Sequence, residues 1–209
     1  MTINQVKEET TFTYTANLVD ESDTDILKST LEALTLEVYE PRSTTRLRTA
    51  RDAYDDNDVT IATSGLITWL GQLEDTRIVA TNARLGSPEI HTALFQFAWG
   101  VSLEAMLTNP LSVTSGSSIV TVAATAHGIV DDANEDHVFL VSDNTVGGLN
   151  LNGSFKVNSI IDADSFTVIH NCTATSTEAT VGGTVKFWVN PRVGSHAVNF
   201  SVLSTKPDC

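Results

Sequence analysis

The stretch AHGIVDDANEDHVFLV, residues 126–141, sets His127 and His137 around Asp131, Asp132, Glu135 and Asp136. Imidazoles and carboxylates at this density could hold a metal ion or run acid/base chemistry. Metal ligation needs donors that converge at about 2 to 2.5 Å, usually from several chain segments and with outer partners that orient them. The two histidines stand ten positions apart across an acidic loop, without the His-x-x-x-His spacing of a helix face or the fixed spacing of a calcium loop. The stretch therefore reads as a turn between strands: Gly128 lets the chain reverse, and His137 opens the next strand. A structural Ca²⁺ is the functional alternative.

A second acidic knot, RDAYDDNDVT (51–60), offers Asp52, Asp55, Asp56 and Asp58 as hard oxygen ligands. It lacks the D-x-D-x-D-G pattern with a terminal Glu, and Asp and Asn initiate turns by bonding their own backbone. A turn is the expectation here too, with calcium behind it. His91 lies in EIHTALFQFAW (89–99), where alternation puts it on one face with Ala93, Phe95, Phe97 and Trp99. On that face a hydrogen-bonded core or interface residue is expected rather than a general base. No G-x-S-x-G elbow and no phosphate-cradling Gly-rich loop with Lys occurs. Paired carboxylates for glycoside cleavage come from distant chain positions and leave no local trace.

Arg46, Arg48 and Arg51, in TTRLRTARD (44–52), stand out in an acidic chain. A solvated loop balanced by the nearby aspartates is one reading. A docking surface is the other, because Arg holds carboxylates through two hydrogen bonds and is enriched at interfaces. Trp69, Trp99 and Trp188 each fall inside a strand pattern and are expected in the core. Cys172 and Cys209 belong to no C-x-x-C pair, which argues against a zinc or redox motif.

The chain has 209 residues, with 12 basic against 26 acidic side chains and a formal net charge of −14. That balance disfavours nucleic acid, whose affinity rests on Lys and Arg releasing counterions, and disfavours an anionic membrane surface. MTINQVKEETTFTY has no basic stretch followed by an apolar run, so no secretory signal is expected. No run approaches the ~20 apolar residues of a membrane-spanning helix.

Short alternating segments rich in Val, Ile, Thr and aromatics dominate the chain and predict strands at 11–15, 33–40, 58–70, 89–99, 118–124, 137–142, 153–160, 165–170, 184–189 and 196–203. The fold class expected is all-β, an Ig-like β-sandwich with at most one or two short helices. DESDTDILKSTLEAL (20–34) predicts one helix, with Asp23 or Asp25 at its start and Ile26, Leu27, Leu31 and Leu34 on one face. SLEAMLTNP (102–110) predicts a short turn ending before Pro110. Charges thin out after Pro110, and Ser, Thr, Val, Gly and Asn take over. That shift marks residues 110–185 as a small β-domain set into a sandwich made of 1–109 and 186–209.

Two resemblances follow. IVTVAATAHGIVDD (119–132), DHVFLVSDNTVGGLNLNGSFKVNSIIDADSFTV (136–168) and Gly-Gly-Thr-Val (182–185) resemble a small β-barrel module inserted in many bacteriophage virion proteins, related in fold to a half-domain of ubiquitin-activating enzymes. The loop between Gly128 and His137 is longer and more acidic than that pattern. LTLEVYEPRSTT (34–45), DDNDVTIATSGLITWLGQLEDTRIV (55–79), EIHTALFQFAWG (89–100) and VGSHAVNFSVL (193–203) resemble small β-sandwich proteins encoded among phage head and connector genes.

These resemblances imply a virion structural protein that is not an enzyme and uses no cofactor and no metal. The expectation is a decoration or cement protein on the outside of the head. Its partners would be the major capsid protein or neighbouring virion proteins, in multiple copies or as a homo-oligomer, and neither nucleic acid nor membrane. The alternative is a neck, tail or fibre component that binds a host surface glycan. The expected location is the virion exterior, after synthesis in the host cytoplasm.

Overall fold

The computed structural model describes residues 4–43, 45–54, 56–80, 86–101, 103–130 and 136–205. Over these residues the chain is all-β, as its alternation predicts. The strands are β1 (Asn4–Lys7), β2 (Phe12–Asn17), β3 (Leu31–Glu40), β4 (Thr45–Asp52), β5 (Val59–Ile61) and β6 (Leu66–Gly71). After a 3-10 turn at Leu73–Thr76 come β7 (Pro88–Trp99), β8 (Ala105–Thr108), β9 (Leu111–Val113), β10 (Ile119–Ala123) and β11 (His137–Ser142). The chain ends with β12 (Gly153–Asp162), β13 (Ser165–Ile169), β14 (Glu178–Val181), β15 (Thr184–Val189) and β16 (Arg192–Leu203).

Two compact units divide the chain. One holds Met1–Ser29, Leu36–Phe95 and Ser195–Cys209, and the other holds Thr30–Thr35 and Gln96–Gly194. Composition marked 110–185 as the insert, whereas the second unit also takes in β8 and all of β15, because those two strands pair with each other.

In the first unit a three-stranded sheet, β2-β6-β5, faces strands of the five-stranded sheet β1-β16-β7-β3-β4. Trp69 on β6 is the pin between them. Its ring meets Phe12 at 4.9 Å, Phe95 of β7 at 5.8 Å and Phe200 of β16 at 6.0 Å between centroids, all steeply inclined. Edge-to-face pairs of this kind contribute about 0.5–1.5 kcal/mol each beyond the area they bury. The face of β7 assigned from alternation is inside: His91, Ala93 and Phe95 are all buried.

The second unit is a barrel, and its closure follows from register. Its eight-stranded sheet runs β14-β9-β10-β13-β12-β11-β15-β8. The two ends of that order are halves of one kinked ladder. β15 pairs with β8 (Thr184↔Thr108) and β14 with β9 (Val181↔Leu111) in the same register, with Asn109-Pro110 facing Gly182-Gly183 at the corner. Asn109 takes φ 51°, Gly182 112° and Gly183 66°. These left-handed conformations let both strands bend together without losing step.

The barrel interior is filled by Leu111, Val120, Val122, Val138, Leu140, Val157, Phe166, Val168, Val185 and Phe187, among others. Ile119 points out, and on β11 it is Val138 and Leu140 that face the barrel core. Phe139 and Val141 lie on the other side of β11, packed with Ala33, Ala98 and Trp188 in a second cluster. All three tryptophans, Trp69, Trp99 and Trp188, are buried as expected.

The predicted helix at 20–34 is absent. Asp20 accepts from the N–H groups of Ser22 and Thr24, Asp23 takes φ 58°, and Leu31 already begins β3. Of the four residues that imitate a helix face, Leu31 and Leu34 belong to β3, which buries residues on both faces, while Ile26 and Leu27 precede it. The predicted turn at 102–110 is likewise replaced by strand β8 with alternating burial.

Candidate functional site

The histidines of the barrel are engaged by backbone groups of its turns. His127 is buried; its Nε2 donates to the Asp162 carbonyl at 3.0 Å, and its Nδ1 accepts from the Ile129 N–H at 3.1 Å. His137 Nε2 donates to the Pro191 carbonyl at 2.8 Å. His170 does the same for a different corner, accepting from the Cys172 N–H at 2.9 Å and donating to the Asn150 carbonyl at 3.1 Å. Asp136, also buried, accepts from the Val130 N–H at 3.2 Å and from Asn190 Nδ2 at 2.6 Å. Each of these side chains ties one turn of the barrel to another segment. Asp131, Asp132 and Glu135 lie outside the described residues. Among the described residues no group of three or more His, Cys, Asp or Glu side chains converges as a metal-binding set.

The IDADSF segment works the same way from the other side. Asp162 Oδ1 accepts from the Asp164 N–H at 2.9 Å and from the Ser165 hydroxyl at 2.8 Å, which holds its carboxyl below the usual range.

In the first unit the arginine triplet is not a loop: Arg46, Arg48 and Arg51 all lie on β4. Arg48 Nη1 and Nη2 both donate to Asp58 Oδ2 at 3.0 Å, and Nη1 reaches Asp75 Oδ2 at 3.3 Å. Arg51 donates through Nε to Asp56 Oδ2 at 2.6 Å and through Nη2 to Asp58 Oδ2 at 3.3 Å. Gln72 completes the network, giving its N–H to Asp75 Oδ2 at 2.7 Å and its Nε2 to Asp58 Oδ1 at 2.9 Å. Burial pushes the Asp75 carboxyl up, an effect that the Gln72 N–H and the two guanidiniums only partly oppose. Arg48 loses hydration as well, yet Asp75 and Asp58 hold its guanidinium charged more firmly than usual. Arg51 Nη1 and Asp75 Oδ1 are buried with no hydrogen-bond partner among the described residues.

The calcium expectation for the 51–60 knot meets a different use of its carboxylates. Asp56 and Asp58 neutralise the arginines, while Asp52 and Asp56 each accept a backbone N–H two residues on, from Tyr54 and Asp58. Asp55 lies outside the described residues. Arg46 pairs with Glu37 at 2.5 Å and is the most open of the triplet, its side chain 42% exposed against 17% for Arg48 and 21% for Arg51.

Two further groupings have partners that alternation does not show, and the first has His91 as the hydrogen-bonded core residue expected from its face of β7. His91 is fully buried, with Nδ1 2.8 Å from the Asp75 carbonyl and Nε2 2.7 Å from Glu89 Oε1. A carbonyl and a carboxylate only accept, so both bonds form when each ring nitrogen carries a proton or when Glu89 carries one itself. Glu89 also takes the N–H groups of Val79 and Ala80, both at 2.8 Å. The signal for it was Glu89-x-His91, two residues that share one face of β7.

Tyr14 on β2 and His196 on β16 form the other pair, with the phenol oxygen 2.7 Å from Nε2 and the rings stacked. Desolvation raises the Tyr14 pKa and lowers that of His196, so both groups are held neutral. Their separation of 182 positions left no local trace in the sequence.

No protein family matches the chain, and no curated protein does. Among solved structures it is similar to the phage phi92 endosialidase, at 20% identity and a TM-score of 0.37, over 54% of this chain and 18% of that one. This chain thus spans less than a fifth of the length of the structure it matches. A likeness of that size carries no argument about ligand, activity or place in a particle. The matched name is that of an enzyme, which runs against the expectation that this chain is not an enzyme, and that expectation is not carried forward.

Proposed function

We propose that the chain is a bacteriophage structural protein that decorates the outside of the virion head, with the major capsid protein as its partner. The observation that supports this reading is the net charge of −14 on two β units whose segments resemble phage virion families. His127, His137, His170 and Asp136 secure the turns of the barrel, and Arg48 and Arg51 are engaged by Asp56, Asp58 and Asp75.

The net charge of −14 suits an exterior position better than one against packaged DNA. Head binding would work by burial: a subunit that spans neighbouring capsid proteins adds interface area, and repetition over a symmetric shell turns modest contacts into avidity. Arg46, with the most open guanidinium of the triplet, is the place to look for a carboxylate on the shell.

The test is binding of the purified protein to expanded heads that lack it, followed by heating. Saturable binding in many copies with a higher disruption temperature supports decoration. Binding at one vertex, or to tails or host envelopes instead, moves the protein to the neck or tail and sinks the decoration reading.

A further inference from the structure

Among the described residues four strands end their sheets in the first unit: β1, β4, β2 and β5. Three are guarded in the ways that keep a sheet edge from pairing with another chain, by charge or by shortness. β4 carries Arg46, Arg48 and Arg51, each tied to a carboxylate. β1 is four residues long and carries Lys7, and β5 is three residues long.

β2 has neither guard. It is six residues long, FTYTAN, and the chain from Thr10 to Leu18 contains no charge and no proline. Its side chains alternate, with Thr13, Thr15 and Asn17 exposed. They lie beside Leu70, Thr68 and Leu66 of β6, of which both leucines are exposed, and β5 adds exposed Thr60. The strand residues of this outward face are therefore uncharged, with one carboxylate at its end, Asp25, which accepts from Asn17 Nδ2 at 3.1 Å, in a chain of net charge −14.

We propose that β2 is a self-docking edge, pairing antiparallel with β2 of a second copy of this chain across a two-fold axis. The occupant follows from charge. A two-fold contact sets a surface against itself, and on most of an acidic protein that places carboxylates against carboxylates. Along β2 it places Thr beside Thr, which is favourable across strands, and joins two sheet faces with uncharged strand residues into one. A basic partner would gain nothing from an uncharged edge. One short strand and a three-stranded face fall below the roughly 800 Å² per partner of a standard interface, so the dimer is weak, in the micromolar range or above. Salt tightens it, because the remaining repulsion between the copies is screened. This inference stands independently of the virion reading.

The experiment is sedimentation velocity of the full chain over a wide concentration range at low and high salt. The expected result is a reversible dimer that strengthens with salt and weakens at least tenfold in Thr13→Lys and Thr15→Lys, which restore an edge guard. Ile169→Lys, on the outer face of the barrel, leaves the dimer unchanged. Thermal melts check that each variant folds, and hydrogen exchange on the unmutated chain gives a second readout: the β2 amides gain protection as concentration rises. A chain that stays monomeric at both salts overturns the proposal, as does a dimer that the two threonine variants leave intact or in which β2 gains no protection.

Discussion

Asn109 and Gly183 face each other across the bend of the barrel and exchange two hydrogen bonds. The Asn109 N–H donates to the Gly183 carbonyl at 2.8 Å, and the Gly183 N–H donates to Asn109 Oδ1 at 2.9 Å. The second bond uses a side chain where a ladder would use a carbonyl. That exchange carries the register from β8/β15 to β9/β14 and closes the barrel.

Asn109→Ala is therefore expected to cost about 2–3 kcal/mol, from the lost hydrogen bond together with a left-handed backbone that alanine tolerates poorly. Asn109→Gly keeps the conformation and loses the amide alone, and is expected to cost less. Thermal or urea unfolding of both variants checks the order; equal stability of Ala and wild type would contradict it.

Arg48 and Arg46 should behave differently although both are ion-paired neighbours on β4. Arg48→Ala leaves the fully buried Asp75 without its closest guanidinium and is expected to cost about 3–5 kcal/mol. Arg46→Ala breaks a partly exposed pair with Glu37 and is expected to cost under about 1 kcal/mol. Comparable losses at the two positions would show that the Asp75 network is not the anchor described here.

Much of the fold was legible, and its misreadings have identifiable causes. β7 and β13 announce themselves by alternation or by a dense apolar run. β3 is legible from residue 33 on, but its first residues are not, because Leu31 and Leu34 combine with Ile26 and Leu27, which precede the strand, to imitate a helix. The arginines of β4 resemble a loop because a strand guarded by charge loses its apolar alternation. Of the candidate groups, the barrel histidines could be read as turn residues from Gly128 beside His127. Arg48–Asp75 and Tyr14–His196 could not, since such pairs join positions 27 and 182 apart and are created by the packing of sheets.

The Tyr14–His196 pair predicts a stability window in pH. The folded-state pKa of His196 is lowered by desolvation, so its contribution is fully present above the unfolded value of about 6.5 and is lost as pH falls below it. The folded-state pKa of Tyr14 is raised, so its contribution is present below about 10 and is lost as pH rises beyond that. Denaturant titrations of wild type and His196→Gln between pH of about 7 and 5 separate this from general acid effects. The wild type should lose more stability over that interval than the variant; parallel curves would remove His196 from the account.

The central claim is that this chain belongs to the outside of a phage head, and labelling intact particles with an antibody against it tests that most directly. Label spread over the whole head surface, in many copies per particle, is the predicted result. Label confined to a single vertex or the tail, or particles that carry none of the protein, would contradict it.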